Sequence, residues 1–280
     1  MTALSPAPGA PSPETAPRPG ALPRWLWINL LRLGLLTAIL VAWQFGSGRV
    51  VSEFFVSKPS AIATVLWEWL LDGSLLFHAG ITATEAFLGF AIGAALGIGL
   101  GLLLGRAEVL ADVLQPFITA FYSLPKVALA PLFVLWLGIG IEMKVVLTAA
   151  VVFFLVFLNT YTGVRSVSRE LVTILKLMGA GELHILTKAV LPSAITWVFA
   201  GLRISVPYAL IGAIVGELIA SNRGLGFLLS SSAGQFSTAG VFAALFAIVV
   251  LAFVLNLVVR WAEILLMPWK TADEGREVTV

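Results

Sequence analysis

The sequence predicts an all-α membrane protein with about six transmembrane helices. Three observations predict it. Of the 280 residues, 59% are hydrophobic and only 11% are charged, where a soluble domain carries about 25% charged residues. Mean hydropathy is +1.01. Apolar runs of roughly 20 residues, the length that crosses a hydrocarbon core of ~30 Å, recur along the chain. With no cysteine, disulfides and thiolate metal sites are excluded. A formal net charge of +2 gives no electrostatic footprint for nucleic acid.

Residues 1–23 are rich in proline, among them Pro6, Pro8, Pro11, Pro13, Pro17, Pro19 and Pro23. Such a stretch buries too little apolar area to offset its ordering entropy and reads as a disordered tail. The apolar run after it is too long for a signal peptide and lacks a clear cleavage site, so it reads as an uncleaved anchor. Spans are expected near 25–45, 79–104, 113–137, 144–163, 194–217 and 239–263. The third contains Pro116, Pro125 and Pro131 and is expected to be kinked or broken. Residues 59–71 suit a short helix in the outer interface. Residues 218–238 read as an outer loop with apolar content, either outside the membrane or dipping back into it. The last residues, 268–280, read as a second polar tail.

Lysine and arginine set the orientation. With the N-terminus inside, the cytoplasmic side collects Arg18, Arg24, Arg106, Arg165, Arg169, Lys176, Lys188, Arg260, Lys270 and Arg276. The outer side collects Arg49, Lys58, Lys144 and Arg223. Both termini are therefore expected inside. Trp25, Trp27, Trp43, Trp136, Trp261 and Trp269 lie near span ends, where an amphipathic ring is favoured.

Residues 164–192 depart from the membrane pattern. Charges return, yet Val172, Leu175 and Leu177 to Met178 keep apolar residues on a helical face, with Ser168 as N-cap. Gly179-Ala180-Gly181 breaks that helix. A second short helix carries Glu182, Leu183, His184, Leu186 and Val190 and is expected to end at Leu191, before Pro192. Two short helices joined at a glycine form a knob outside the bilayer, and an apolar face on it asks for a partner.

Here the chain resembles a known family. The spacing from Gly179 to Leu191-Pro192 looks like the coupling loop of importer permeases that work with ATP-binding-cassette (ABC) subunits. LPKVALAPLFVLWLGIG at 124–140, FFLVFLNTYTGVRSV at 153–167 and GELIASNRGLGFLL at 216–229 look like its nitrate, sulfonate, taurine and bicarbonate branch. Three departures stand out. Thr173-Ile174-Leu175 replaces the usual Glu-Ala-Ala, Ala189 replaces a larger aliphatic residue, and Glu85 stands where a basic residue is expected.

The resemblance implies a MetI-like permease domain over 24–267, paired with a second copy in a bacterial inner membrane. It implies a cytoplasmic ATPase gripping Gly179–Pro192, an external solute-binding protein, and a small anionic solute. ATP and magnesium would sit on the partner, with no cofactor on this chain. The sequence G-x-x-x-x-G-K-[ST] is absent, so the ATPase would be a separate polypeptide.

Other residues carry two readings each. Gly89, Gly93, Gly97, Gly101 and Gly105 recur every four residues, for packing within one subunit or for a moving or dimeric contact. Lys126 lies within a span, as pathway lining or gate, or else as a structural ion pair or a snorkelling cation. Arg203 and Glu217 bracket the fifth span, with pathway and interface roles open for Glu217. Asn159 and Tyr161 suit helix–helix hydrogen bonding or solute contact. Glu85 reads as an exposed residue at the start of the second span. His78 and His184 are too far apart in the topology to form a metal site. An ion-gradient-driven transporter is the alternative, but it predicts inverted repeats, and none is evident. A membrane-embedded enzyme needs polar residues clustered at one depth, and here they are scattered.

Overall fold

The computed structural model describes residues 24–266, and the expected tails at 1–23 and 268–280 lie outside the described residues. The described chain is helical throughout, without a named strand. In order, the helices are α1 (Arg24–Gly46), α2 (Glu53–Val56), α3 (Pro59–Leu71), α4 (Ser74–Arg106), α5 (Glu108–Ser123), α6 (Ala130–Leu137) and α7 (Ile141–Arg165). There follow α8 (Arg169–Leu177), α9 (Glu182–Ile185), α10 (Leu191–Ala220), α11 (Leu225–Gly234) and α12 (Thr238–Leu266). Among the described residues, five helices are long and apolar enough to cross a membrane, and six spans result if α5 and α6 count as one broken span.

The break falls at one of the three prolines, Pro125, whereas Pro116 is accommodated inside α5. Leu124 is extended (φ −68°, ψ 131°) because the ring of Pro125 disfavours a helical predecessor. A 3₁₀ turn at Lys126–Leu129 leads into α6, which carries Pro131 in its first turn, where no N–H is missed. The two halves are bent by 78°.

Helix α7 is the centre of the bundle, clasped by α4 on one side and α10 on the other. Glycine makes both contacts close. A Cβ built on Gly93 would lie 2.6 Å from the Ala149 carbonyl, and one on Gly97 2.9 Å from the Phe153 carbonyl. On Gly101 it would meet Thr160, and on Gly105 Val164. The glycine stripe of α4 thus seats α7 within one subunit. On the other side, Gly212 of α10 meets Thr148, Gly216 meets Lys144, and Gly163 of α7 meets Trp197.

Helix α1 stands apart, with its apolar window unburied. Its C-terminal end is tied down: Gln44 accepts from the Ser60 backbone N–H at 3.1 Å and donates to the Ser60 hydroxyl at 2.9 Å. That contact supplies the N-terminal cap that α3 lacks in its own sequence.

Two expectations are corrected. The segment after Gly181 is not a separate helix ending before Pro192. One helical rod runs from Glu182 to Ala220. A π turn at Leu186–Val190 makes this continuity feasible: the Leu191 N–H bonds back to the Leu186 carbonyl. Pro192 thus lies inside the rod, and the wide turn immediately before it offsets the carbonyl that its ring would otherwise meet one turn back. Residues 218–238, expected as a loop, contain α11, packed on α12 and α10.

The glycine seat makes a paired prediction. Gly93→Val should cost about 1–3 kcal/mol by overpacking, seen as a lower melting temperature of the purified protein in detergent. Gly99→Val, where a Cβ meets nothing within 4 Å, should melt with the parent. Equal melting of both variants would refute the seat.

Candidate functional site

Three groups of residues matter, and they lie at different depths. The first is the elbow between α7 and α10. Helix α8 starts on Ser168, whose hydroxyl accepts from the Leu171 N–H at 3.2 Å. It ends in a Schellman motif: Gly179 N–H donates to the Lys176 carbonyl at 3.0 Å and Ala180 N–H to the Leu175 carbonyl at 2.9 Å. Gly179 sits at φ +82°, a conformation that favours glycine. Gly181 is the extended N-cap of α9.

The inner face of the elbow is a small apolar core of Val164, Ile185, Val190 and Ala194, with Val172, Leu175, Ala180 and Leu186 packed on it. The outer face is also apolar. Leu177 is 83% exposed, Met178 78% and Leu183 74%. His184, Leu191 and Pro192 are exposed. Glu182 receives Lys176 at 3.0 Å and also pairs with Arg106 at the end of α4. The coupling candidates from Gly179 to Pro192 are therefore one contiguous feature, with Ile185 as its buried anchor. Ile185 was not singled out from sequence, although its four-residue spacing from Ala189 gave a helical face to look for.

The second group surrounds Lys126. Its ammonium donates to the Tyr122 carbonyl at 2.5 Å and lies 4.7 Å from the Tyr122 ring centroid and 4.6 Å from that of Phe154. Phe154 is near the middle of α7, so this cation sits at mid-depth, held by aromatic faces. Tyr122 and Phe154 escaped the sequence reading because both look like ordinary apolar-face residues.

The third group lies at the end opposite the elbow. Lys144, 5% exposed, donates to Glu85 at 2.7 Å and to the Ser221 hydroxyl at 2.8 Å. Glu85 is 1% exposed, so its expected exposed position is corrected. It faces α7 because Lys144 offers it a counter-charge where lipid offers none. Glu217 is likewise 1% exposed and accepts from the Thr82 hydroxyl and the Gly226 N–H, each at 2.6 Å. The Leu225 N–H donates to Thr82 at 2.8 Å and the Gly224 N–H to His78 Nδ1 at 2.9 Å. Three successive donors at the start of α11 are thus capped by side chains of α4 and α10. Gly224, at φ +102°, leaves room for the Glu217 carboxylate.

The four pathway candidates do not converge. Lys126 lies in its aromatic cradle. Asn159 donates to its own helix at the Leu155 carbonyl, 2.8 Å away. Arg203 pairs with Glu263 of α12. Glu217 belongs to the buried cluster. Tyr161 accepts from Arg165 at 2.8 Å. Among the described residues, no cluster of three or more metal-ligating side chains forms.

Residues 93–268 match the family described as binding-protein-dependent transport system inner membrane component. The riboflavin transport system permease protein RibX of Chloroflexus aurantiacus is 35% identical, over 94% of this chain and 98% of that protein. The formylaminopyrimidine transport permease protein ThiX of Halalkalibacterium halodurans is 35% identical over 83% and 92%. The putative aliphatic sulfonates transport permease protein SsuC of Bacillus subtilis is 32% identical over 90% and 91%. The fold is similar to the MetNI methionine ABC transporter in an inward-facing form, with a TM-score of 0.51 at 18% identity, covering 69% of this chain and 96% of that one.

The buried pair can be tested through stability. Lys144→Met should cost about 3–5 kcal/mol, because the Glu85 charge loses its partner in a site closed to water. Adding Glu85→Gln to Lys144→Met should recover at least half of the lost melting temperature. A double variant that melts no higher than the single one would show the pair is not the source of the loss.

Proposed function

Because the chain belongs to the family of binding-protein-dependent transport system inner membrane components, we propose that it forms the pathway for a small anionic solute, moved when a separate ATPase grips the elbow. The chain is a multi-pass permease subunit of an ABC importer, not an enzyme. It works with an ATPase and a solute-binding protein. The remaining assignments belong to the proposal: a homodimer in a bacterial inner membrane, both termini cytoplasmic, ATP and magnesium on the ATPase alone.

One observation carries the reading. Leu177, Met178 and Leu183 project from a glycine-hinged elbow that continues as an unbroken rod into α10. An apolar cluster beside charged residues suits a protein partner. A rod anchored by Ile185 passes a push at the elbow into a spanning helix. The Lys126 cradle supports the anionic solute: a cation at mid-depth of the bundle is costly unless it faces protein or a polar path, and it has no carboxylate partner among the described ion pairs. Relatives named for aliphatic sulfonates, riboflavin and formylaminopyrimidine indicate that one pathway architecture serves different solutes. Selection then rests largely with the binding protein.

Leu183→Glu should reduce recovery of the co-expressed ATPase in pull-down by at least about tenfold, the effect of burying an unpaired charge at an interface, while the chain still inserts. Gly179→Val should act in the same direction through its backbone. Unchanged recovery in both would remove the elbow from the motor interface. Lys126→Gln should slow uptake of the transported anion in vesicles without loss of assembly. Parental uptake by that variant would remove Lys126 from the pathway.

A further inference from the structure

A cavity of about 400 Å³ opens beneath the elbow, where α4 and α7 end. Its rim carries Arg106, the last residue of α4, Arg165, the last residue of α7, and Lys176 near the end of α8. Its floor is apolar, formed by Val164, Val172 and Ile185. No carboxylate lines the cleft itself; at its edge the exposed Asp112 lies 3.9 Å from Arg165. We infer that this cleft is a binding site for the phosphate group of an anionic phospholipid, held by Arg106, Arg165 and Lys176 with the glycerol ester on the apolar floor.

Four observations support the assignment. First, three basic side chains from three different helices converge on one concavity, which sequence-adjacent surface charges do not do. Second, the rim stands where two spanning helices run out of apolar sequence, the depth at which headgroup phosphates lie. Third, the cavity combines basic rim and apolar floor, a match for a lipid headgroup rather than for a free anion, which has no use for the floor. Fourth, an anion already occupies the edge of the site: Glu182 bridges Lys176 and Arg106. That carboxylate is well exposed, so its pairs are weak and exchangeable. Glu182 therefore acts as an internal competitor that a phosphate displaces.

This inference rests on the reading of the elbow as the cytoplasmic end, which supplies the inner leaflet as the lipid source. It adds a consequence to that reading. Glu182 opens the rod that runs into α10, so a lipid that takes Lys176 and Arg106 from Glu182 loosens the link between α4 and the start of the rod. Coupling would then respond to the anionic lipid content of the membrane.

The test uses the full chain assembled with its ATPase in mild detergent. Native mass spectrometry measures retention of a short-chain phosphatidylglycerol, with the matching phosphatidylcholine and inorganic phosphate as comparison probes. The parent should hold one phosphatidylglycerol per copy and neither comparison probe. Arg106→Gln with Lys176→Gln should weaken binding by about tenfold or more, the loss of charge-assisted hydrogen bonds, and Arg165→Gln should weaken it on the opposite wall. Glu182→Gln should strengthen binding by about two- to fivefold, by removing a weak competing pair.

Phosphatidylcholine held as tightly as phosphatidylglycerol would overturn the site, as would Glu182→Gln weakening retention. Equal retention of inorganic phosphate would overturn the lipid source. An assembly that holds no phosphatidylglycerol while the chain without ATPase does would show that the motor fills the cleft, which also overturns the proposal. Should the double variant fail to assemble, Arg165→Gln and Glu182→Gln still decide by their opposite signs. Failure of the importer reading would show separately, as loss of ATPase recovery in the parent.

Discussion

The close approach of α4 and α10 to α7 is the constraint on which the rest of the structure depends. In lipid, apolar side chains gain nothing by leaving the solvent, so helices associate through dense packing and polar contacts. Glycine at four-residue spacing on α4, and at Gly212 and Gly216 on α10, removes the side-chain layer and lets backbone meet backbone. Dispersion attraction falls off steeply with distance, so this geometry draws the most from each contact. It also determines where polar groups can hide. Lys144 and Thr148 lie in the first turns of α7, between the two glycine-bearing helices. Only there could a lysine reach Glu85 with so little exposure.

That buried cluster does for the far end of the bundle what the apolar core of Ile185 does for the elbow. A turn in a membrane protein leaves backbone donors that lipid cannot satisfy. The turn before α11 resolves this with His78, Thr82 and Glu217, one for each of three successive N–H groups. The positive end of a short helix also favours the Glu217 carboxylate. Glu217 is thereby a positioning residue in this conformation, holding α11 to α10 and α4. The two ends of α10 are consequently fastened differently: polar and directional at Glu217, by apolar packing at the elbow.

Much of this architecture was legible from sequence because lipid imposes a strict length rule and proline and glycine act locally. The six segments, the break at Leu124-Pro125, the start of α8 on Ser168 and its end at Gly179 all follow from residues within a few positions of the feature. The glycine stripe declared itself by period alone. What stayed hidden was pairing at long range. Nothing near Glu85 marks Lys144, 59 residues on, as its partner, and a lysine at the start of a span looks like an interface anchor. Nothing near Gly224 and Leu225 marks His78 and Thr82 as the acceptors of their N–H groups. Pro192 misled for the opposite reason: its local rule was correct, but a π turn immediately before it changed which carbonyl was in question.

The π turn also bears on how the bundle moves. A helix with one wide turn has a locally weaker hydrogen-bond ladder than the segments on either side, yet this one keeps its chain of bonds from Gly181 into α10. Buried Ala189 and Val190 fill the inner side of the wide turn and hold it against α7 and α8. The elbow therefore keeps a continuous hydrogen-bonded path into α10 through one wide turn. At the other end the helix is fixed by the cluster around Glu217. Between the two, Gly212 and Gly216 meet Thr148 and Lys144 of α7 without side chains of their own. The transmission proposed above would travel along this path, and faces that lack side chains suit it, because they allow close contact without interlocking knobs on both helices.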